Sequence, residues 1–136
     1  MHFTPPVQTI YAARQGLKEY FEEGEKAKWE RHQRIMKAIR KGIDELGFRE
    51  ALGRDVQSGL VSAICYPDDD NWDFEKVHDY CYKRGFTIYP GKMQGQGTFR
   101  LCALGAIDEQ DIENFWKAFS EALEYYNIKT PVQYKE

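Results

Sequence analysis

The chain lacks most of the features that announce a function. Its three cysteines, Cys65, Cys81 and Cys102, are an odd number with no C-x-x-C spacing, which argues against a disulfide framework or a zinc ribbon. All three lie in apolar stretches and read as reduced, packed thiols of a cytoplasmic protein. The three histidines, His2, His32 and His78, are scattered, so no metal is expected. No apolar run approaches the ~20 residues of a membrane-spanning helix, and the N-terminus carries no apolar segment of the signal-peptide kind. A net charge of −3 leaves no basic footprint, so neither nucleic acid nor a membrane is an expected partner. Repeats and low-complexity tracts are missing as well.

What is present is ordinary globular material. At 136 residues, 42% hydrophobic and 15% aromatic, the chain is long enough for one domain with a real core, and small for a self-contained cofactor enzyme. Thr4 before Pro5 is a helix-start signal, and Val7, Ile10, Leu17 and Phe21 give a rough helical stripe to about Gly24. A second helix is expected from Glu25 to Leu46, with Trp29, His32, Met36, Ile39, Ile43 and Leu46 on its apolar side. Gly47 suits a left-handed residue just past its end, closed by Phe48. His32 reads as a packed histidine, not a catalytic one.

Leu60–Tyr66 reads as a strand stopped by Pro67. Asp68–Asp70 follow in a loop without the glycine turn and closing glutamate of a calcium site, and read as solvated. Asp73 caps the next helix, which has Phe74, Val77 and Cys81 on its apolar side and ends at Gly85. Phe86–Tyr89 and Thr98–Leu104 are then two strands joined by a loop with Pro90, Gly91, Gly95 and Gly97. Asp108 and Asp111 stand at capping-box spacing, with Ile107 and Ile112 as a staple. The last helix buries Ile112, Phe115, Phe119 and Leu123, and a polar tail is expected after Asn127.

Strand–helix–strand–strand–helix, after two helices, implies a three-stranded sheet in the order first, third, second. The fold class is α+β: a two-layer domain with helices on one face of a mainly antiparallel sheet. Alternation in the last strand puts Phe99, Leu101 and Ala103 on the helix side. Arg100 and Cys102 take the opposite face. A guanidinium stays charged, so a central-strand arginine needs an anion or water. An internal carboxylate satisfies it. So does an anionic ligand gripped by the planar fork.

T-P-P-V near the start, K-W-E-R-H-Q-R on the long helix, Y-P-G-K and F-R-L-C-A-L-G together resemble class V (fold type I) pyridoxal-phosphate-dependent aminotransferases. Within that family the resemblance is nearest to the transaminases of 2-aminoethylphosphonate and pyruvate, with alanine–glyoxylate transaminases more distant. It runs collinearly along nearly the whole chain, but covers only the C-terminal, small domain of such an enzyme. The resemblance implies that residues 1–136 are that domain, with a helix in 1–24 that would pack on the large one. The Schiff-base lysine and the aspartate partner of the pyridinium nitrogen belong to the large domain and have no counterpart here. Lys92 does not match the Schiff-base motif.

By the same resemblance Arg100 binds the substrate carboxylate, and Thr4 reaches the cofactor phosphate of a neighbouring subunit in a homodimer. Pyridoxal phosphate is the family's cofactor, but none is expected on this chain alone. No residue here is assigned to the proton chemistry. The implied function is substrate recognition in amino transfer to pyruvate, inactive without the large domain. The rival expectation is a free-standing α+β binding or oligomerisation module without catalysis.

Overall fold

A computed structural model describes residues 5–91 and 95–135. They fall into two compact units, Met1–Arg31 and His32–Glu136. Thr4 and Lys92 lie outside the described residues.

In the first unit, α1 spans Val7–Glu23. It starts later than a cap at Thr4 would place it: Pro6 holds the cap position without a side-chain cap. Two successive prolines deny the first turn its amides, and the Val7 N–H instead donates to the Pro5 carbonyl at 2.8 Å. Gly24, at φ 83°, ends the helix, a conformation that only glycine adopts cheaply. No residue of α1 is buried, so its apolar stripe has no partner among the described residues of this unit. α2 runs Glu25–Glu45. Trp29, expected on its buried stripe, is exposed.

The second unit holds the core. From α2 it takes His32, Ile35, Met36, Ile39 and Ile43. Gly47, at φ 76°, closes the helix as expected, with the Phe48 N–H donating back to the Ile43 carbonyl at 2.9 Å. Phe48 then sits against Phe99 and Phe119, with ring centres 5.7 Å apart in both pairs. β1 is Val61–Cys65, α3 Phe74–Tyr82, β2 Tyr89–Pro90, β3 Thr98–Cys102 and α4 Glu109–Tyr125. Asp73 caps α3, and Asp108 with Asp111 forms the capping box of α4. Among the described residues, no helix is long and apolar enough to cross a membrane.

The sheet order is β1-β3-β2, antiparallel throughout, as the connection rules required. Phe99, Leu101 and Ala103 are buried beside Ile64 of β1, while Arg100 is exposed. Phe99 is the hub of an aromatic cluster with Trp72 and Phe119, at ring-centre distances of 6.0 and 5.8 Å. Such pairs add to the burial of large apolar area that carries most of the stability.

Three expectations need correction. The Phe86–Tyr89 strand is reduced to Tyr89–Pro90, because Phe86 packs on Phe115 and Ile88 turns into the core. That packing pulls the backbone off the β3 edge. The tail after Asn127 is not merely polar: Ile128 and Val132 are buried. The Tyr134 hydroxyl accepts from the Arg49 N–H at 2.9 Å and donates to the Cys65 carbonyl at 3.1 Å. Nor are the acidic residues at 68–70 simply solvated. Asp69 accepts from the Lys129 N–H and Asp68 from the Lys135 N–H, at 3.1 and 2.7 Å, tying the tail down.

Residues 49–51 also extend the sheet beyond β1, through an antiparallel bridge between Glu50 and Ile64. The Glu50 side chain, only 6% exposed, lies 3.5 Å from Arg40 Nε and accepts from Ser62 Oγ at 2.7 Å. It also accepts from Gln57 and from Arg54, which in turn grips Asp44. Burial pushes the Glu50 carboxyl up, but these hydrogen bonds and the Arg54 charge outweigh it and hold the carboxyl below its ordinary range.

Candidate functional site

Arg100 stands at the centre of the middle strand. Directly opposite it are Ala63 of β1 and Tyr89 of β2, and residues paired across antiparallel strands share a face. Alanine on one side leaves the guanidinium room. Tyr89 on the other is 58% exposed and supplies an aromatic wall. Pro90 is compatible with this edge because it pairs with Phe99, between the Tyr89 and Gly91 positions that carry the ladder hydrogen bonds. A missing N–H costs nothing there.

The other arginines of residues 32–135 are already engaged. Arg34 pairs with Glu109, Arg54 with Asp44 and Arg84 with Glu121, at 2.9, 2.6 and 3.2 Å. Arg40 faces Glu50, and Arg49 lies 4.6 Å over the Tyr134 ring. Arg100 is exposed and pairs with no carboxylate among the described residues. Among the described residues no internal salt bridge holds Arg100, which leaves it to water or to an anionic ligand.

The face is closed at one end and open at the other. Thr98 and Cys65 share Arg100's side of the sheet by alternation, yet both are buried. The Gln96 amide donates to Cys65 Sγ at 3.1 Å. Gly91 lies so close that a Cβ there would strike the Thr98 hydroxyl. At the open end, Cys102 follows Arg100 on the same face. Burial raises its thiol pKa, and the Arg100 charge works against that. Past the Tyr89–Arg100 pair β2 and β3 diverge, leaving a groove of about 530 Å³ that Arg100, Tyr89 and Leu104 help to line. Sequence reasoning found Arg100 but missed Tyr89 and the groove. Tyr89 was legible from Pro90, which sets the register; the groove was not, because it comes from strands that fail to pair.

Thr4, the other expected site residue, is outside the described residues, and so is Lys92 within the Gly91–Gly97 loop. Cys65, Cys81 and Cys102 are free thiols.

No protein-family model matches the chain. It is 35% identical over 127 residues to 2-aminoethylphosphonate–pyruvate transaminase 1 of Cupriavidus pinatubonensis, across 93% of this chain and 34% of that protein. The transaminase of the same name from Burkholderia ambifaria matches at 35% identity over the same shares. The chain thus spans about a third of the length of the curated relatives it matches. Among solved structures, ureidoglycine–glyoxylate aminotransferase from Bacillus subtilis superposes with a TM-score of 0.84 at 22% identity, over 95% of this chain and 34% of that one. Pyridoxamine–pyruvate aminotransferase from Mesorhizobium loti gives 0.83 at 24% identity, over 94% of this chain and 33% of that one. By sequence, this chain is homologous to the C-terminal third of the 2-aminoethylphosphonate–pyruvate transaminases, and its fold is the one seen in that part of other aminotransferases.

Proposed function

We propose that the chain is the substrate-recognition domain of a pyridoxal-phosphate-dependent transaminase that passes an amino group to pyruvate. The observation that carries this is an exposed central-strand arginine with no carboxylate partner among the described residues, in a chain homologous to transaminases. A guanidinium so placed grips a carboxylate through two parallel N–H donors. The clamp fixes the orientation of the amino or oxo acid, and orientation is where a positioning residue contributes to rate. Arg100 moves no proton.

Pyridoxal phosphate, when bound, supplies the electron sink for amino transfer. It would be held by the two thirds of the relatives that this chain does not span, so the chain alone is inactive in this reading. By the family resemblance, Thr4 would reach the cofactor phosphate of the partner subunit in a homodimer. The unburied stripe of α1 would pack on the large domain. A cytoplasmic setting accords with the three free thiols.

The test is co-expression with the cofactor-bearing part of a related transaminase. Transamination of pyruvate should appear only in the mixture. Arg100→Lys keeps the charge and loses the fork, and should cost about 1–3 kcal/mol in the binding of the acid, with the melting point of the domain unchanged. A domain that unfolds on this replacement, or an unaltered KM for pyruvate, would refute the clamp.

A further inference from the structure

We propose that Tyr89 and Arg100 form a two-residue carboxylate site: the fork of Arg100 gives the acid two donors and the Tyr89 hydroxyl gives it a third. The proposal rests on the carboxylate-clamp reading of Arg100 and adds to it a second substrate-binding residue, from the neighbouring strand.

The placement follows from the ladder. The Gly91 N–H donates to the Thr98 carbonyl at 2.6 Å, and the next hydrogen-bonded pair along β2 and β3 is Tyr89 with Arg100. In such a pair the Cα atoms lie about 5.5 Å apart, and both side chains rise on one face. Here that face is the one away from the core, since the neighbours Ile88 and Phe99 are buried while Tyr89 and Arg100 are exposed. Tyrosine and arginine are nearly equal in reach, so the hydroxyl and the guanidinium end at similar heights above the sheet.

Their polar ends are also unspent. The Tyr80 hydroxyl accepts from Arg84 at 2.7 Å, and that of Tyr134 bonds the backbone at Arg49 and Cys65. The Tyr89 hydroxyl has no hydrogen-bond partner among the described residues. Arg84 and Arg49 lie over those same two rings, 3.6 and 4.6 Å from the ring centres. No such stack joins Arg100 to Tyr89, as it would if the tyrosine served only as a platform for the arginine. Two unspent donors side by side suit one anion instead. A carboxylate has about four lone-pair sites. The fork takes two, and a hydroxyl approaching from the β2 side takes a third. Ala63, opposite on β1, leaves the other side of the fork open for the rest of a small acid.

The experiment titrates the isotope-labelled chain with pyruvate, following the Arg100 Nε–H and the Tyr89 Cζ signals by NMR. Both should move with one midpoint, and methyl pyruvate, which has no carboxylate, should move neither. Tyr89→Phe keeps the ring and should weaken pyruvate about tenfold, the lower end for a hydrogen bond to a charged group. The melting temperature and the acid-free Arg100 signal should not change. Added to Arg100→Lys and followed by the amide signals of β3, Tyr89→Phe should cost less than about threefold more, because both residues serve the same carboxylate. An unchanged midpoint in Tyr89→Phe, with Arg100 still shifting, overturns the role of the hydroxyl and leaves the clamp standing. A loss seen with Tyr89→Ala but not with Tyr89→Phe does the same. A weakened midpoint that comes with a lowered melt or a displaced acid-free Arg100 signal makes Tyr89 a structural residue and also overturns the proposal. No Arg100 shift with pyruvate overturns both the proposal and the clamp.

Discussion

Replacing Gly91 by alanine tests how the fold holds Arg100 in place. The Gly91 N–H donates to the Thr98 carbonyl at 2.6 Å, the ladder bond next to the Tyr89–Arg100 pair. A Cβ at residue 91 would collide with Thr98 Oγ1 and lie 2.8 Å from Thr98 Cβ and 3.0 Å from its carbonyl oxygen. Thr98 is 1% exposed and cannot swing aside, and a backbone carbonyl cannot yield without moving the strand. Overpacking of this kind costs about 1–3 kcal/mol, and stretching the ladder bond adds roughly 0.5–1.5 kcal/mol. Because β2 is an edge and can retreat, the lower half of the sum applies, about 2 kcal/mol. For a domain of this size that lowers the melting temperature by roughly 6–10 °C. Circular dichroism melts give the stability, and the Arg100 Nε–H signal reports the strand shift. Since Thr98 Oγ1 has no hydrogen-bond partner among the described residues, Thr98→Ala should be mild alone and should recover part of the loss in the double variant. An unchanged melt and an unmoved Arg100 signal in Gly91→Ala would refute this account of the pairing.

Three further outcomes are expected. Gly42→Ala sits in the interior of α2, where alanine gains about 1 kcal/mol in propensity, yet its Cβ would strike the Trp116 indole. The variant should be net destabilised by about 1–2 kcal/mol in urea titrations, and Trp116→Leu should relieve it. Glu50→Gln should cost roughly 2–3 kcal/mol near neutrality, between the values for exposed and buried pairs. Because the Glu50 carboxyl is held below its ordinary range when folded, its contribution is present above about pH 4.3 and fades as pH falls through the folded pKa. Acid titration should therefore show a shallower loss of stability in the variant than in the parent. Tyr134→Phe removes the bond to the Cys65 carbonyl and the acceptor for the Arg49 N–H. It should cost about 1–2 kcal/mol and speed hydrogen exchange at Arg49 before the rest of the sheet.

Local rules carried the secondary structure because the decisive residues are local. Gly47 can take the left-handed conformation at the end of α2, Asp73 and Asp108 can cap, and alternation in Thr98–Cys102 puts Arg100 opposite Phe99 whatever surrounds the strand. Sheet order followed as well, since connection length and handedness leave few arrangements for these strands. Arg100 was visible as an anomaly, a charge at a position whose neighbours are apolar. Whether that charge was already spent on an internal carboxylate was not visible, because the candidates lie tens of residues away along the chain. Among the described residues the tertiary structure gives Arg100 no carboxylate partner, with Glu109, Glu50, Asp44 and Glu121 taken by other arginines. It likewise decided that β2 is two residues long, since the pull of Phe115 and the core on Phe86 and Ile88 is a contact between distant segments. The tail was misread for the same reason: Ile128, Val132 and Tyr134 are too sparse to form a periodic pattern, and their burial depends on a surface that only the folded sheet and helices create.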